Sequence, residues 1–132
     1  MVPVVEKLMS KKICSIASGE SVLKGAKEMA WKKIGSLLVS REGEYIGIIT
    51  EVDILRKVVA KEIDPATVPV ENVMTSPLIT VEADLPVVDA NDLMERKKVR
   101  HLGVTRNGKI IGVVSVRDFL HPIEMEQEAS GF

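Results

Sequence analysis

Two short windows of the chain place a hydroxyl three positions ahead of a carboxylate: Thr50-Glu51-Val52-Asp53 and Ser115-Val116-Arg117-Asp118. Residues of these types at this spacing can do two things. In a capping box the hydroxyl accepts from the third helical amide while the carboxylate reaches back to the cap residue's own amide. A hydroxyl beside a helix N-terminus is also a prepared anion site, suited to phosphate. A carboxylate one turn further in could hold the vicinal hydroxyls of a ribose, as the acidic residue of dinucleotide sites does. A nucleotide would satisfy both groups.

The windows lie in a longer repeat. GIITEVDIL from Gly47 returns as GVVSVRDFL from Gly112, sixty-five positions on, and the match continues without a gap on both sides. Val5 and Val70, Met9 and Met74, Val22 and Val87, Met29 and Met94, Leu37 and Leu102, and Gly43 and Gly108 are identical pairs in that register. A repeat fixes architecture before any element is assigned. Two copies do not make a solenoid. They suit a pseudo-twofold pair of units of about 55 residues, each too small to be stable alone, so the core is expected to be shared.

Each copy reads in one order. A short helical turn (VEKLM, VENVM) precedes an extended run, ICSIA at 13–17 and LITVE at 78–82. A helix follows, from about Ser21 to Lys33 and from about Pro86 to Lys98, with Val22, Ala26 and Met29 on one face and Val87, Ala90, Leu93 and Met94 on the other copy's. Two strands then meet at a tight turn, around Glu42-Gly43 and Asn107-Gly108. Asn-Gly is a strong hairpin signal because both residues tolerate positive φ. A last helix starts after Thr50 and runs through Asp53, Leu55, Val58 and Val59; its counterpart starts after Ser115 and is cut short at Pro122. The copies are thus 1–62 and 70–121, with the two-proline stretch IDPATVP at 63–69 as linker and a polar tail at 122–132 expected to fray.

Composition bounds the function. The chain of 132 residues is 45% apolar and 28% charged, with a formal net charge of -1 and 3% aromatic residues. That is an ordinary globular balance, without the positive charge and stacking platforms of a nucleic-acid surface. The single Cys14 sits in the apolar run ICSIA and reads as a buried inert thiol. With no intrachain disulfide, signal peptide or membrane-length apolar run, a cytoplasmic location is expected. No nucleophile-base pair or metal-ligand constellation stands out, so catalysis and bound metal are not expected; His101 has only His121 as a fellow histidine.

The doubled pattern of a VEKLM or VENVM turn, an ICSI or LITV strand, a Val-x-x-Ala/Gly-x-x-x-Met helix and a Gly-apolar-apolar-Thr/Ser-x-x-Asp junction resembles the tandem cystathionine-beta-synthase (CBS) domain pair, the Bateman module. The resemblance spans about Val5 to Leu120. It implies an α/β (α+β) fold of two β-α-β-β-α repeats packed sheet to sheet about a pseudo-twofold axis. It also implies clefts for adenosine-containing ligands such as AMP, ADP, ATP or S-adenosylmethionine, here as regulatory ligands rather than catalytic cofactors. Carried over, Asp53 and Asp118 would hold ribose hydroxyls, Thr50 and Ser115 would contact phosphate, and Ile48 and Val113 would flank adenine. Ser15, Ile16, Ile34, Gly35, Arg100 and His101 would complete the Asp118 ligand's surroundings, and Thr80, Val81 and Val99 those of the Asp53 ligand. The resemblance further implies a homodimer, joined through Leu55, Val59 and Leu120, and an effector protein acting in trans.

The copies differ where phosphate would be read. Arg100 and His101 stand where the first copy has Gly35 and Ser36, so the Asp118 ligand is expected to bind the tighter. The alternative is that Arg100 and His101 are solvated residues at a helix-to-strand turn. Lys32, Lys33, Lys97 and Lys98, closing the two first helices, suit the macrodipole and read as structural. Many family copies carry proline where this chain has Leu38 and Gly103. Besides nucleotide sensing, the residues also admit a structural dimerisation module with empty sites, S-adenosylmethionine binding, and, against the charge balance, nucleic-acid binding.

Overall fold

A computed structural model describes residues 2–120, of Leu120 the backbone only. The final stretch at 122–132, His121 and the Leu120 side chain lie outside the described residues. The chain forms two compact units. One runs from Cys14 to Leu78; the other takes the chain through Ile13 and again from Ile79 onward.

In the Cys14–Leu78 unit, strand β1 (Ser15–Ala17) leads through helix α1 (Val22–Lys32) to β2 (Ser36–Arg41) and β3 (Glu44–Thr50). β1 pairs parallel with β2, the register bringing Ser15 opposite Leu38, and β2 pairs antiparallel with β3. A parallel neighbour requires a crossover, and α1 supplies it. Ser21 caps α1 by accepting from the Lys24 N–H at 3.1 Å. At the other end Lys33 turns left-handed (φ 57°) and lets the Ile34 N–H reach the Met29 carbonyl, a Schellman-type stop without the usual glycine. The core gathers Ile16, Val22, Met29, Leu37, Val39, Ile49 and Val58. Burying each of these side chains fully contributes about 1.5–3 kcal/mol. Cys14 is half-buried against this core, less enclosed than the sequence suggests. On α1 the buried face is Val22, Gly25 and Met29, with Ala26 only half-buried.

The second unit repeats this: β4 (Thr80–Glu82), α3 (Val87–Lys97), β5 (His101–Arg106) and β6 (Lys109–Ser115), in sheet order β4-β5-β6. Lys98 closes α3 as Lys33 closes α1. Both hairpins turn through two residues of positive φ, Glu42-Gly43 (50° and 82°) and Asn107-Gly108 (54° and 77°). These are the primed turns that match strand twist.

Each junction helix begins directly on its last strand. α2 (Glu51–Ile54) widens over Leu55–Val59 into a π turn, in which the Ala60 N–H donates to the Leu55 carbonyl five residues back. α4 spans Val116–Leu120.

In place of the single shared core expected, each unit has its own core, completed by the leading segment of the other sequence copy. The turn at Val5–Lys7 belongs to the unit of the second sequence copy, where Val5 is fully buried among Val81, Ala90, Met94, Leu102, Val104 and Val114. The turn at Val70–Asn72 likewise delivers Val70 and Val73 to the first copy's core. Backbone bonds fix both: Val5 N–H to Leu85 O, Glu6 N–H to Ala83 O, Val70 N–H to Glu20 O and Glu71 N–H to Ser18 O. The stretch 63–69 is also bound in place, its Val68 carbonyl accepting from the Val22 N–H at the start of α1.

Gly47 and Gly112 permit this exchange. The segment after each turn pairs with the last strand, through Thr75 on Ile48 and Ser10 on Val113. A Cβ on Gly47 would stand 2.7 Å from the Thr75 carbonyl oxygen, and one on Gly112 would stand 2.6 Å from that of Ser10. The repeat opens on glycine because another stretch of backbone passes there.

Candidate functional site

The junctions that carry Asp53 and Asp118 are built alike. The first helical amide of each is fixed by the turn that ends the preceding long helix: Glu51 N–H donates to Gly35 O and Val116 N–H to Arg100 O, both at 3.0 Å. The β2–β3 and β5–β6 registers set Ser36 opposite Thr50 and His101 opposite Ser115. Within the second unit Arg100, His101, Val113, Ser115 and Asp118 therefore come together, with β4 contributing exposed Thr80 and buried Val81 to the same sheet. Val99 packs against that unit's core. Ser15, Ile16, Ile34 and Gly35, which the resemblance assigns to the Asp118 ligand, belong to the unit that holds Ile48, Thr50 and Asp53.

The carboxylates differ in what they already hold. Asp53 is the buried charged residue among the described residues, 7% exposed. Its Oδ2 accepts from Thr50 N–H at 3.0 Å and from Thr50 Oγ1 at 3.2 Å, while Asp53 N–H donates to Thr50 Oγ1, completing the capping box. Its Oδ1 accepts from Thr75 Oγ1 at 3.1 Å and pairs with Lys57 Nζ at 2.9 Å. Lys57 also donates to the Val73 carbonyl at 3.0 Å. Asp118 is half-buried, and its Oδ2 accepts from Ser115 N–H at 2.7 Å and Ser115 Oγ at 3.2 Å. Its Oδ1 has no partner among the described residues.

Sequence explains the difference. Thr75 of the first unit corresponds to Ser10 of the second, whose hydroxyl instead accepts from Lys12 N–H at 3.3 Å. Lys57 corresponds to Pro122, which has no ammonium. Thr75 and Lys57 are absent from the expected site residues, although two signals mark them. Thr75 is repeated as a hydroxyl at Ser10, and Lys57 stands four residues after an acid on a helix, the spacing of an intrahelical ion pair.

Shape and charge diverge in the same sense. On the face of the first sheet away from its helix-side core, Leu38 and Ile48 are cross-strand partners, both buried. Their counterparts are Gly103 and Val113, smaller residues that fill this face less. Beside Gly35 lies the Glu51 carboxylate, 3.2 Å from where a Cβ would be. The second unit has Arg100 and Val116 in those places, with Arg100 exposed.

Comparison with known proteins agrees with this architecture. The CBS-domain family model matches residues 5–60 and 70–124. A 17.7 kDa protein of Acidianus ambivalens is 36% identical over 116 residues, covering 86% of this chain and 69% of its own length. A Methanopyrus kandleri protein is 41% identical over 103 residues, and the chain spans only 53% of its length. Among solved structures, a CBS-domain protein of Burkholderia ambifaria is 31% identical and superposes with a TM-score of 0.86, covering 95% of this chain and 96% of that one. The hexameric CBS-CP12 protein of bloom-forming cyanobacteria is 30% identical, with a TM-score of 0.87 over 98% of this chain and 79% of its own.

Proposed function

The chain belongs to the CBS-domain family as a tandem pair of CBS domains, and we propose that it is a regulatory module that binds an adenine nucleotide, AMP, ADP or ATP, at Asp118. The observation that carries this is the state of the Asp118 carboxylate. One oxygen is fixed by Ser115, while the other is left to accept from a ligand. Ribose 2′- and 3′-hydroxyls are donors suited to that oxygen, Val113 offers an apolar surface for the base, and Arg100 takes phosphate, joined by Ser115 Oγ once its one proton turns from Asp118 Oδ2 to the ligand. A charge-assisted bond from Arg100 is about twice as strong as a neutral one.

Such a ligand acts by selection. It shifts the balance between two arrangements of the protein only by its differential affinity for them, and an effector protein reads the result. Self-association supplies one such arrangement. Leu55 and Val59, each 59% exposed on the widened turn after α2, form the contact, and Leu55→Glu with Val59→Glu should convert the protein to a monomer by light scattering.

Calorimetry and thermal shift with AMP, ADP, ATP, adenosine and S-adenosylmethionine test the binding. Ligand at a hundred times its dissociation constant should stabilise the fold by about 2.7 kcal/mol, and Asp118→Ala should abolish this. Arg100→Ala should weaken AMP and ATP more than adenosine. Absence of any shift with these five compounds would sink the reading.

A further inference from the structure

We infer that Lys57 and Glu51 are specificity-determining residues that close the Asp53 half to phosphorylated ligands, so that the chain takes one nucleotide rather than two. The inference rests on the reading above and concerns the other half of the same duplicated site. Ribose recognition needs carboxylate lone pairs. An ionised carboxylate has about four acceptor positions. At Asp53 these serve the Thr50 N–H, Thr50 Oγ1, Thr75 Oγ1 and Lys57 Nζ, so a ribose would have to displace Lys57 or Thr75. Lys57 is held at a second point by the Val73 carbonyl, within the exchanged segment that also supplies Thr75. Its ammonium stands where a ligand's hydroxyls would donate.

Glu51 adds a charge barrier. Its backbone N–H is bonded to Gly35 O and its carboxylate folds back over Gly35. A phosphate approaching that turn meets a negative charge, where the second unit presents Arg100 and Val116. Leu38 and Ile48 fill the adjoining face. Three independent features therefore act in one direction: a saturated carboxylate, a repelling charge and a filled floor.

Titration calorimetry with AMP, and separately ATP, reads the stoichiometry. Wild type should bind one nucleotide per chain. Glu51→Val with Lys57→Gln should bind two, the additional one lost again when Asp53→Ala is added. Two sites in the wild type, or a single site in the folded double variant, would overturn the inference. A ligand-free arm covers failure to fold. Lys57→Met should lower the melting temperature by several degrees by leaving Asp53 buried without its cation, and Asp53→Asn in that background should recover most of the loss. A melting temperature unmoved by Lys57→Met refutes the lock. A wild type that binds no adenine nucleotide would instead fell the functional reading, and the lock then stands or falls on the melting arm.

Discussion

Asp53 and Asp118 occupy the same place in two copies of one fold, yet one carboxylate is saturated by its own chain and the other is half open. The frame around them has barely diverged. Gly47 and Gly112 admit the same passing backbone, Val5 and Val70 fill the same hole in opposite units, and Arg41–Glu71 is matched by Arg106–Glu6. What has changed is the residue type at corresponding positions of the repeat: Thr75 where the other copy's sequence has Ser10, Lys57 where it has Pro122, Glu51 where it has Val116, Gly35 where it has Arg100. The lesson is that the duplicated backbone is constrained by packing, which both copies need equally. The polar residues at each junction are free to diverge, and they leave one carboxylate saturated and the other half bonded.

The comparison breaks first if the frame is not equivalent. Gly47→Ala and Gly112→Ala should each cost about 3 kcal/mol, the upper part of the overpacking range, because the new methyl meets a carbonyl oxygen that cannot rotate away. Urea denaturation checks this, and a variant with unchanged midpoint would mean that the exchanged segment yields at that copy. The next test separates the carboxylates. Asp53→Ala removes a capping box and strands Thr75 and Lys57, an expected loss of about 2 kcal/mol. Asp118→Ala removes a cap contact only and should cost about 1 kcal/mol or less. Equal losses would show that Asp118 carries structural load the described residues do not account for.

Much of this frame was legible in sequence. The sixty-five-residue register, the Asn107-Gly108 hairpin and the strand-to-helix junctions follow from identities and local chemistry, and the structure has them with boundaries shifted by one or two residues: α1 is Val22–Lys32 and β1 is Ser15–Ala17. The exchange of leading turns was not legible, because VEKLM and VENVM are nearly the same and either could pack on either core. The Lys57 and Thr75 contacts were hidden for another reason. Thr75 lies twenty-two residues from Asp53 and reaches it only through the exchanged segment. Lys57 was within sequence reach, but a lysine four residues after an acid is ordinary on helix surfaces and does not announce a buried partner.

The hairpins offer a smaller contrast. Glu42 and Asn107 hold the same left-handed conformation, at φ 50° and 54°. A left-handed residue with an ordinary side chain costs about 1–2 kcal/mol, and asparagine relieves part of that. Glu42→Asn should therefore stabilise the chain by about 0.5 kcal/mol, and Asn107→Glu should cost a similar amount. A change of the same sign in both would mean that contacts of the side chains, not backbone conformation, decide the turn.

The smallest effect belongs to the ion pair that fastens an exchanged turn to its sheet. Arg41 Nη2 bonds Glu71 Oε2 at 2.8 Å, and this bond, with a further one from Ser18, holds the Glu71 carboxyl below its usual value of 4.5 against a small opposing effect of burial. A folded-state value below the unfolded one means that the unfolded chain takes up its proton first as pH falls. The stabilisation is therefore complete above the unfolded value and drains away as pH drops through the depressed one. Carbon NMR of the Glu71 carboxyl should give a titration below 4.5 in wild type that moves up towards it in Arg41→Met. Glu71→Gln should at the same time flatten the acid limb of the stability profile. A titration indifferent to Arg41 would detach the pair from the fastening of Val70–Asn72, and that turn would then be held by Val70, Val73 and its backbone bonds alone.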